Sequence, residues 1–227
     1  MNHDELQIIW LSIRVAILNM LSTLPVATWI GWMLSRRRIP CKAIIEALIS
    51  FPLVAPPVVT GYILLLLLGR NGLLGGWLYE HLGIRASFNF AAVVIASFVV
   101  SLPLAVRSIR SAFDLVDPGY ETASLTLGHS KIRTFFRITL PMAFPGVLSG
   151  MVLSFARSLG EFGATITLAG NITGRTQTLA TTVYSYMQVP GMEKQVARLV
   201  LISVLISLSA IAVSEVMNRR QAYYRKT

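Results

Sequence analysis

Long apolar runs alternate with short polar and basic clusters along this chain of 227 residues. A helix that crosses a lipid bilayer needs about 20 consecutive, mostly apolar residues. Five runs reach that length, with approximate bounds 8–34, 47–68, 88–106, 144–169 and 196–217. The pattern predicts an all-α membrane protein with five transmembrane helices, forming one transmembrane domain over residues 8–217 and followed by a tail at 218–227.

One cluster of prolines and one pair of charges interrupt this pattern. The second run contains Pro52, Pro56 and Pro57, and proline removes a backbone donor and clashes with the preceding helical turn. Unpaired backbone at membrane depth is tolerated where protein buries it or where water reaches it. The run is therefore expected to bend, either as a structural kink or as the lining of a hydrated path.

The fourth run contains a pair of opposite charges. Arg157 and Glu161 are four residues apart and would share one helix face, and charges at membrane depth usually pair or face a cavity. The pair has two interpretations: a structural ion pair, or a gate or lining element for an anion. Gly160 and Gly163 flank the carboxylate, so the helix is expected to break there if it does not continue.

Composition supports a membrane protein. Hydrophobic residues make up 54% of the chain and charged residues only 13%, against about a quarter charged in soluble domains. A net charge of +10 would suit a nucleic-acid-binding protein, but the basic residues lie in clusters between apolar runs, as at the cytoplasmic edge of a bilayer. Membrane lipid, and not nucleic acid, is the expected neighbour.

The distribution of Lys and Arg predicts the orientation. Of the 20, thirteen lie in the loops after the first and third runs and in the tail, and four lie on the opposite side. Cytoplasmic loops carry the excess of basic residues, so the N-terminus is expected outside and the C-terminus inside the cell. The first run is too long for a signal-peptide core and is preceded by Asp4 and Glu5 instead of by basic residues, so it should remain as a transmembrane helix.

The loop expected at 107–140 has its own helical signals. Asp117-Pro118 is a good helix start and Gly128 suits a helix end, which predicts one helix of about ten residues. Such a helix would either dock in a groove of another protein as a lever, or lie in the headgroup zone as a surface helix.

The same loop resembles the signature loop of ABC importer permeases. The family pattern reads Glu-Ala-Ala, a following Gly, and then Ile-x-Leu-Pro; the residues that match or replace these positions are Glu121, Thr122, Ala123, Gly128, Ile138, Leu140 and Pro141. Thr122 departs from the usual alanine but is also small. The resemblance implies a type I permease fold in which the helix couples the permease to an ATPase.

Further segments resemble the molybdate branch of that family. They lie at 51–62, 156–165 and 171–176. Sulfate and thiosulfate permeases are similar around Gly160-Glu161-Phe162-Gly163 but usually carry an additional N-terminal span. The resemblance thus implies molybdate import across a bacterial or archaeal cell membrane, the inner membrane in a Gram-negative cell, with tungstate and sulfate as open alternatives.

The resemblance also implies partners. No Gly-x-x-x-x-Gly-Lys-Ser/Thr sequence is present, so the chain is expected not to be an enzyme, and ATP hydrolysis would fall to a cytoplasmic ATPase dimer. An extracytoplasmic molybdate-binding protein would deliver the ion. No cofactor is expected, and no metal site either, because the single cysteine and three histidines are scattered.

Five helices make a thin bundle, so the path is expected between two permease copies, in a homodimer or heterodimer. Gly146, Gly150 and Ser154 form a stripe of small residues that suits close helix packing, equally within one subunit or at a dimer face.

The alternative function from another class is that of a secondary transporter driven by an ion gradient. It would need an intramembrane carboxylate relay or internal repeats, and only Glu161 is a candidate carboxylate.

Overall fold

The computed structural model describes the backbone of residues 3–37 and 39–224 and the side chains of residues 4–37 and 39–212. The described part is α-helical and contains no strand. Its helices, in chain order, are α1 (His3–Arg36), α2 (Lys42–Val54), α3 (Pro57–Leu68), α4 (Leu73–Leu82), α5 (Phe90–Asp114), α6 (Pro118–Thr126), α7 (Lys131–Thr134), α8 (Leu140–Leu159), α9 (Gly163–Leu168), α10 (Leu179–Met187) and α11 (Glu193–Tyr224). A π-helical turn at Phe135–Thr139 joins α7 to α8.

Four continuous helices within the described residues are long and apolar enough to cross a membrane: 4–36, 90–114, 131–159 and 193–212. A fifth crossing is possible where α2 and α3 follow each other at an angle of 112°. The break falls at Pro56 and Pro57, whereas Pro52 lies inside α2. The expected bend in the second run is therefore present.

Several helix bounds differ from the apolar runs. Helix α5 continues to Asp114, and the helix around the fourth run starts at Lys131 and ends at Leu159. Consequently only residues 115–130 of the loop expected at 107–140 project between these two long helices. The length of an apolar run corresponds to the part of a helix that lies inside the bilayer, and the helix itself can continue beyond the bilayer into water. The predicted tail at 218–227 continues α11 to Tyr224, and its remaining residues lie outside the described part.

Helices α1, α5 and α8 form the centre of the bundle. Ala27, Leu34, Ile109 and Phe113 are among the fully or almost fully buried side chains between them. Asn19, fully buried on α1, donates to Ser101 Oγ on α5 and to the Ser154 carbonyl of α8, both at 3.1 Å. One amide therefore ties the three helices together at a depth where an unsatisfied polar group would be costly.

The small-residue stripe on α8 faces this centre. A Cβ atom placed on Gly146 would lie 2.1 Å from Ala112 Cβ, and one on Gly150 would lie 2.8 Å from Ile109 Cγ1. Both neighbours belong to α5, and Ser154 is completely buried. Of the two interpretations of the stripe, packing within one chain is the one that the structure supports.

Candidate functional site

Helix α6 has a defined start and a defined end. The Asp117 carboxylate accepts a hydrogen bond from Gly119 N at 2.8 Å, and Pro118 occupies the first turn. At the other end Gly128 adopts φ +84°, its N–H donates to the Leu125 carbonyl, and His129 N donates to the Ser124 carbonyl. These two bonds form a Schellman motif. The predicted short helix is confirmed, with nine residues.

Glu121 holds this helix against the membrane helices. Its Oε1 atom accepts from Arg36 Nε at the end of α1 and from Thr139 Oγ1 in the π-helical turn, both at 2.9 Å. The same arginine donates through Nη2 to the Val116 carbonyl at 2.6 Å. Neither Arg36, which lies in a basic cluster, nor Thr139 was predicted as a site residue. The carboxylate is thus engaged within the chain.

A second polar contact fixes the other side of α6. The buried Ser124 hydroxyl lies 2.9 Å from Thr134 Oγ1 and 3.2 Å from His129 Nδ1. Thr134 belongs to the short helix α7, which leads through the π-helical turn into α8. This contact connects α6 to the segment 134–139, which forms the foot of α8.

The two halves of the signature motif meet in space. Glu121, Thr122 and Ala123 lie in α6, and the second half begins in the π-helical turn, where Ile138 is half-buried next to Thr139. Leu140 and Pro141 start α8. The Glu121–Thr139 hydrogen bond joins the halves. Thr122 and Ala123 are exposed, and the Thr122 hydroxyl donates back to the Pro118 carbonyl.

Large apolar side chains are exposed around α6. Leu127 is 79% exposed and Ile132 is 72% exposed. The others in this group, all at the same end of the bundle, are Leu115, Tyr120, Leu125 and Phe136. A capped helix surrounded by unpartnered apolar side chains is suited to bind a groove on another protein.

The predicted ion pair in the fourth run is present. Arg157 Nη2 lies 2.7 Å from Glu161 Oε2, and the other carboxylate oxygen accepts from Ala164 N at 2.8 Å. Glu161 is almost completely buried, whereas the Arg157 side chain is 27% exposed. Helix α8 ends at Leu159 with Gly160 as its cap, so the pair spans a break between α8 and α9.

The two broken segments pack directly against each other. A Cβ atom on Gly163 would lie 2.8 Å from Pro57 Cβ and 2.9 Å from Val58 N. One on Gly61 would lie 2.7 Å from Ala164 Cα. Of the predicted gate residues, the structure thus brings together Pro57, Gly163 and the Arg157–Glu161 pair. Pro52 and Pro56 are not among these contacts, although Pro56 caps α3.

Neither region has the composition of a metal centre. Among the described residues no group of three or more His, Cys, Asp or Glu side chains lies close enough together to hold a metal ion. What the two regions provide is a capped short helix with exposed apolar neighbours at one end of the bundle, and a broken helix pair that contains a buried ion pair.

Comparison with known proteins agrees with this arrangement. The molybdenum transport system permease protein ModB of Haemophilus influenzae is 48% identical over 95% of this chain and 94% of its own length, and that of Escherichia coli K12 is 45% identical over the same shares. A bacterial ABC transporter involved in alginate import superimposes with a TM-score of 0.75 at 15% identity over 97% of this chain and 80% of its own. The methionine transporter MetNI gives 0.71 at 13% identity over 97% and 99%.

These similarities establish the fold as that of a type I ABC importer permease. The relatives are membrane subunits and not ATPases. The model of the family described as binding-protein-dependent transport system inner membrane component matches residues 15–223. The chain therefore belongs to the family of binding-protein-dependent transport system inner membrane components.

Proposed function

We propose that this chain is the permease subunit of an ATP-driven importer that carries molybdate into the cytoplasm. The observation that carries the proposal is the short helix α6, capped at both ends, tied to α1 and α8 through Glu121, and surrounded by exposed apolar side chains. The choice of molybdate rests on the similarity to the two molybdenum permeases, which extends over almost the whole of each chain.

The proposed mechanism is alternating access. Closure of two ATPase subunits would draw the two copies of α6 together, and each copy would move the foot of its own α8 through Thr139 and Thr134. Because α8 ends at the Arg157–Glu161 pair, its movement would reach the packed break between α3 and α9. Two permease copies would enclose the path, and an extracytoplasmic binding protein would deliver the ion.

Arg157 is the cation at membrane depth that we assign to the path. Its side chain is partly exposed while its carboxylate partner is buried, so the guanidinium can offer hydrogen bonds to a passing oxyanion without losing its counter-ion. The broken helix pair at Pro56-Pro57 and Gly160–Gly163 would serve as the gate.

The coupling role of α6 is tested with Gly128→Val. A β-branched residue at φ +84° is strained, so the helix end and its docking surface should shift while the membrane helices remain unchanged. Gly83→Val is the matched control, because Gly83 also has a positive φ of +65° with no atom near its Cβ position, and it lies at the end of α4.

Gly128→Val is expected to lose most of the co-purifying ATPase and at least tenfold of the uptake of labelled molybdate, with Gly83→Val close to wild type in both. Equal uptake by both variants and wild type would contradict the proposal that α6 is the coupling element. Uptake that persists when ATP is depleted but the membrane potential is maintained would favour a secondary transporter.

Competition identifies the transported ion. Cells that express the permease with its ATPase and binding protein should take up labelled molybdate in the presence of excess sulfate and lose uptake in excess unlabelled molybdate. Strong inhibition by sulfate would assign the protein to sulfate import. Competition with unlabelled tungstate measures how far the importer distinguishes molybdate from tungstate.

A further inference from the structure

A cavity of about 610 Å³ lies at the end of the bundle opposite to α6. Its wall includes the last turn of α3 and residues 85–89, which lead into α5. Because α5 crosses the membrane and its other end, Asp114, leads to α6, the cavity lies on the opposite side of the bilayer. Neither the coupling helix nor the Arg157–Glu161 region contributes to it.

Three arginines, Arg70, Arg85 and Arg175, line this cavity. None of them forms a salt bridge within the described residues, whereas Arg36, Arg110, Arg157 and Arg198 all do. The only acidic residue of α4, Glu80, does not line the cavity. The cavity therefore contains a cluster of positive charge that lacks a counter-ion from the described part of the chain.

Two of these guanidinium groups are held in place by one ring. The Arg70 and Arg85 guanidinium carbons lie 5.0 and 5.7 Å from the centre of the Tyr79 ring. Cation–π contact holds a guanidinium near the ring without pairing its five N–H donors with an acceptor atom. The two side chains are thereby pre-positioned as hydrogen-bond donors at the cavity wall.

The remaining wall contains large apolar side chains as well as the polar residues Asn71, Ser87 and Asn89. Leu65, Leu66 and Phe88 line the cavity, and Leu66 is 56% exposed. Helix α4 beside it exposes Leu73, Leu74 and Trp77, each by more than half, which is the composition of a helix lying in the membrane interface. The cavity thus combines arginines with leucines of the last turns of α3, at the level where that helix ends.

We propose that this cavity binds the headgroup of an anionic phospholipid. The phosphate would lie among Arg70, Arg85 and Arg175, and the segments of the acyl chains next to the headgroup would cover Leu65 and Leu66. A free tetrahedral oxyanion would match the charge but not the leucines, and it would fill little of a cavity with room for about 20 water molecules. An acidic protein surface would match the arginines but leave the apolar wall unexplained. The inference does not depend on the transported ion.

The test uses the complex of permease and ATPase, delipidated in detergent and titrated with phosphatidylglycerol or with phosphatidylcholine of the same acyl chains, and bound lipid is counted by native mass spectrometry. Wild type should retain phosphatidylglycerol preferentially. Each of Arg70→Gln, Arg85→Gln and Arg175→Gln should weaken its binding about fivefold. The control is Lys194→Gln, which removes an exposed basic charge that does not line the cavity and should leave binding unchanged.

Other outcomes would overturn the proposal. Equal binding of both lipids, or single variants that bind phosphatidylglycerol as Lys194→Gln does, would show that the arginines hold no lipid phosphate. Displacement of the lipid by millimolar sulfate or molybdate with the same stoichiometry would identify a site for free oxyanions. Loss of binding-protein capture by the arginine variants, with lipid binding intact, would identify a protein-docking patch. The single variants are compared at equal yield and equal ATPase retention, so that misfolding does not imitate lost binding.

Discussion

One carboxylate oxygen joins three parts of the protein at the end of the bundle that contains α6. Glu121 Oε1 accepts from Arg36 on α1 and from Thr139 at the foot of α8, and its own backbone belongs to α6. Arg36 and Glu121 side chains are only 14% and 22% exposed. Hydrogen bonds to a charged group in such partly buried positions contribute about 1.5–3 kcal/mol. We therefore expect Glu121 to position α6 from inside the chain.

The Glu121 variants separate that role from direct contact with the ATPase. Glu121→Ala removes both hydrogen bonds and should lower the free energy of unfolding by about 2–3 kcal/mol. Glu121→Gln keeps an oxygen acceptor for both donors and should cost about half as much. Thermal unfolding of the purified permease without its ATPase measures this difference. If both variants unfold like wild type and lose only ATPase binding, the carboxylate contacts the ATPase instead.

The Arg157–Glu161 pair has a different energetic basis. Glu161 is buried and also caps Ala164 N, so removal of the arginine would leave a buried charge without its partner, at a cost of about 3–5 kcal/mol. Arg157→Ala should therefore lower the yield of folded permease and molybdate uptake strongly. Glu161→Gln keeps the cap on Ala164 and should retain more folded protein than Glu161→Ala.

Charge reversal of the same pair distinguishes structure from transport. The double variant Arg157→Glu/Glu161→Arg restores an ion pair but not the acceptor for Ala164 N, so we expect partial recovery of folded protein relative to Arg157→Ala. If Arg157 contacts the ion, uptake should stay low even where folding recovers. Wild-type folding and uptake in each single alanine variant would contradict both roles.

These two ion pairs also show how far sequence alone can locate a site. Arg157 and Glu161 were predicted as a pair because residues four apart share a helix face. Arg36 and Glu121 are 85 positions apart, and Arg36 lies in a basic cluster typical of a cytoplasmic loop. No periodicity connects them, since the contact is made by the packing of α1, α5 and α8.

At the level of elements, caps were more informative than apolar length. Asp117-Pro118 and Gly128 predicted both ends of α6, because capping depends on local backbone chemistry. Apolar length predicted α5 and its start to within two residues, but it missed the end of α5 and both ends of α8. The break after Leu159 was predicted from Gly160 and Gly163, whereas its contact with the break at Pro57 depends on tertiary packing.

That contact between α3 and α9 gives a prediction with a matched control. Gly163→Ala would place a methyl group 2.9 Å from a backbone atom of Val58, and overpacking of this kind costs about 1–3 kcal/mol. Gly160→Ala, three residues earlier, meets nothing within 4 Å and has an ordinary φ of −91°. Thermal unfolding in detergent should therefore show a lower midpoint for Gly163→Ala and nearly wild-type behaviour for Gly160→Ala. Equal midpoints for the two variants would mean that the close approach is not rigid.

At the level of the whole molecule, much apolar surface has no partner within the chain. Within the described residues, α2 contains no buried side chain, and α11 exposes Leu201, Leu205 and Leu208 by more than half. Because the small-residue stripe on α8 is used inside the chain, a second permease copy would have to bind through other faces. Bilayer lipid and that second copy together account for these surfaces in the assembly that we propose.

The orientation of the chain can be tested with its own cysteine. Cys41 is the only cysteine in the sequence and is exposed beside the basic cluster after α1, on the side expected to face the cytoplasm because it carries the excess of Lys and Arg. A membrane-impermeant maleimide added to spheroplasts should leave Cys41 unlabelled. It should label the variant Cys41→Ser/Glu80→Cys, whose new thiol lies on the exposed surface of α4 at the opposite end. Both thiols should react after permeabilisation, which shows that each is reachable. The reverse labelling pattern in intact spheroplasts would place α6 outside the cell, where no ATPase can bind it, and would contradict the orientation and the coupling mechanism together.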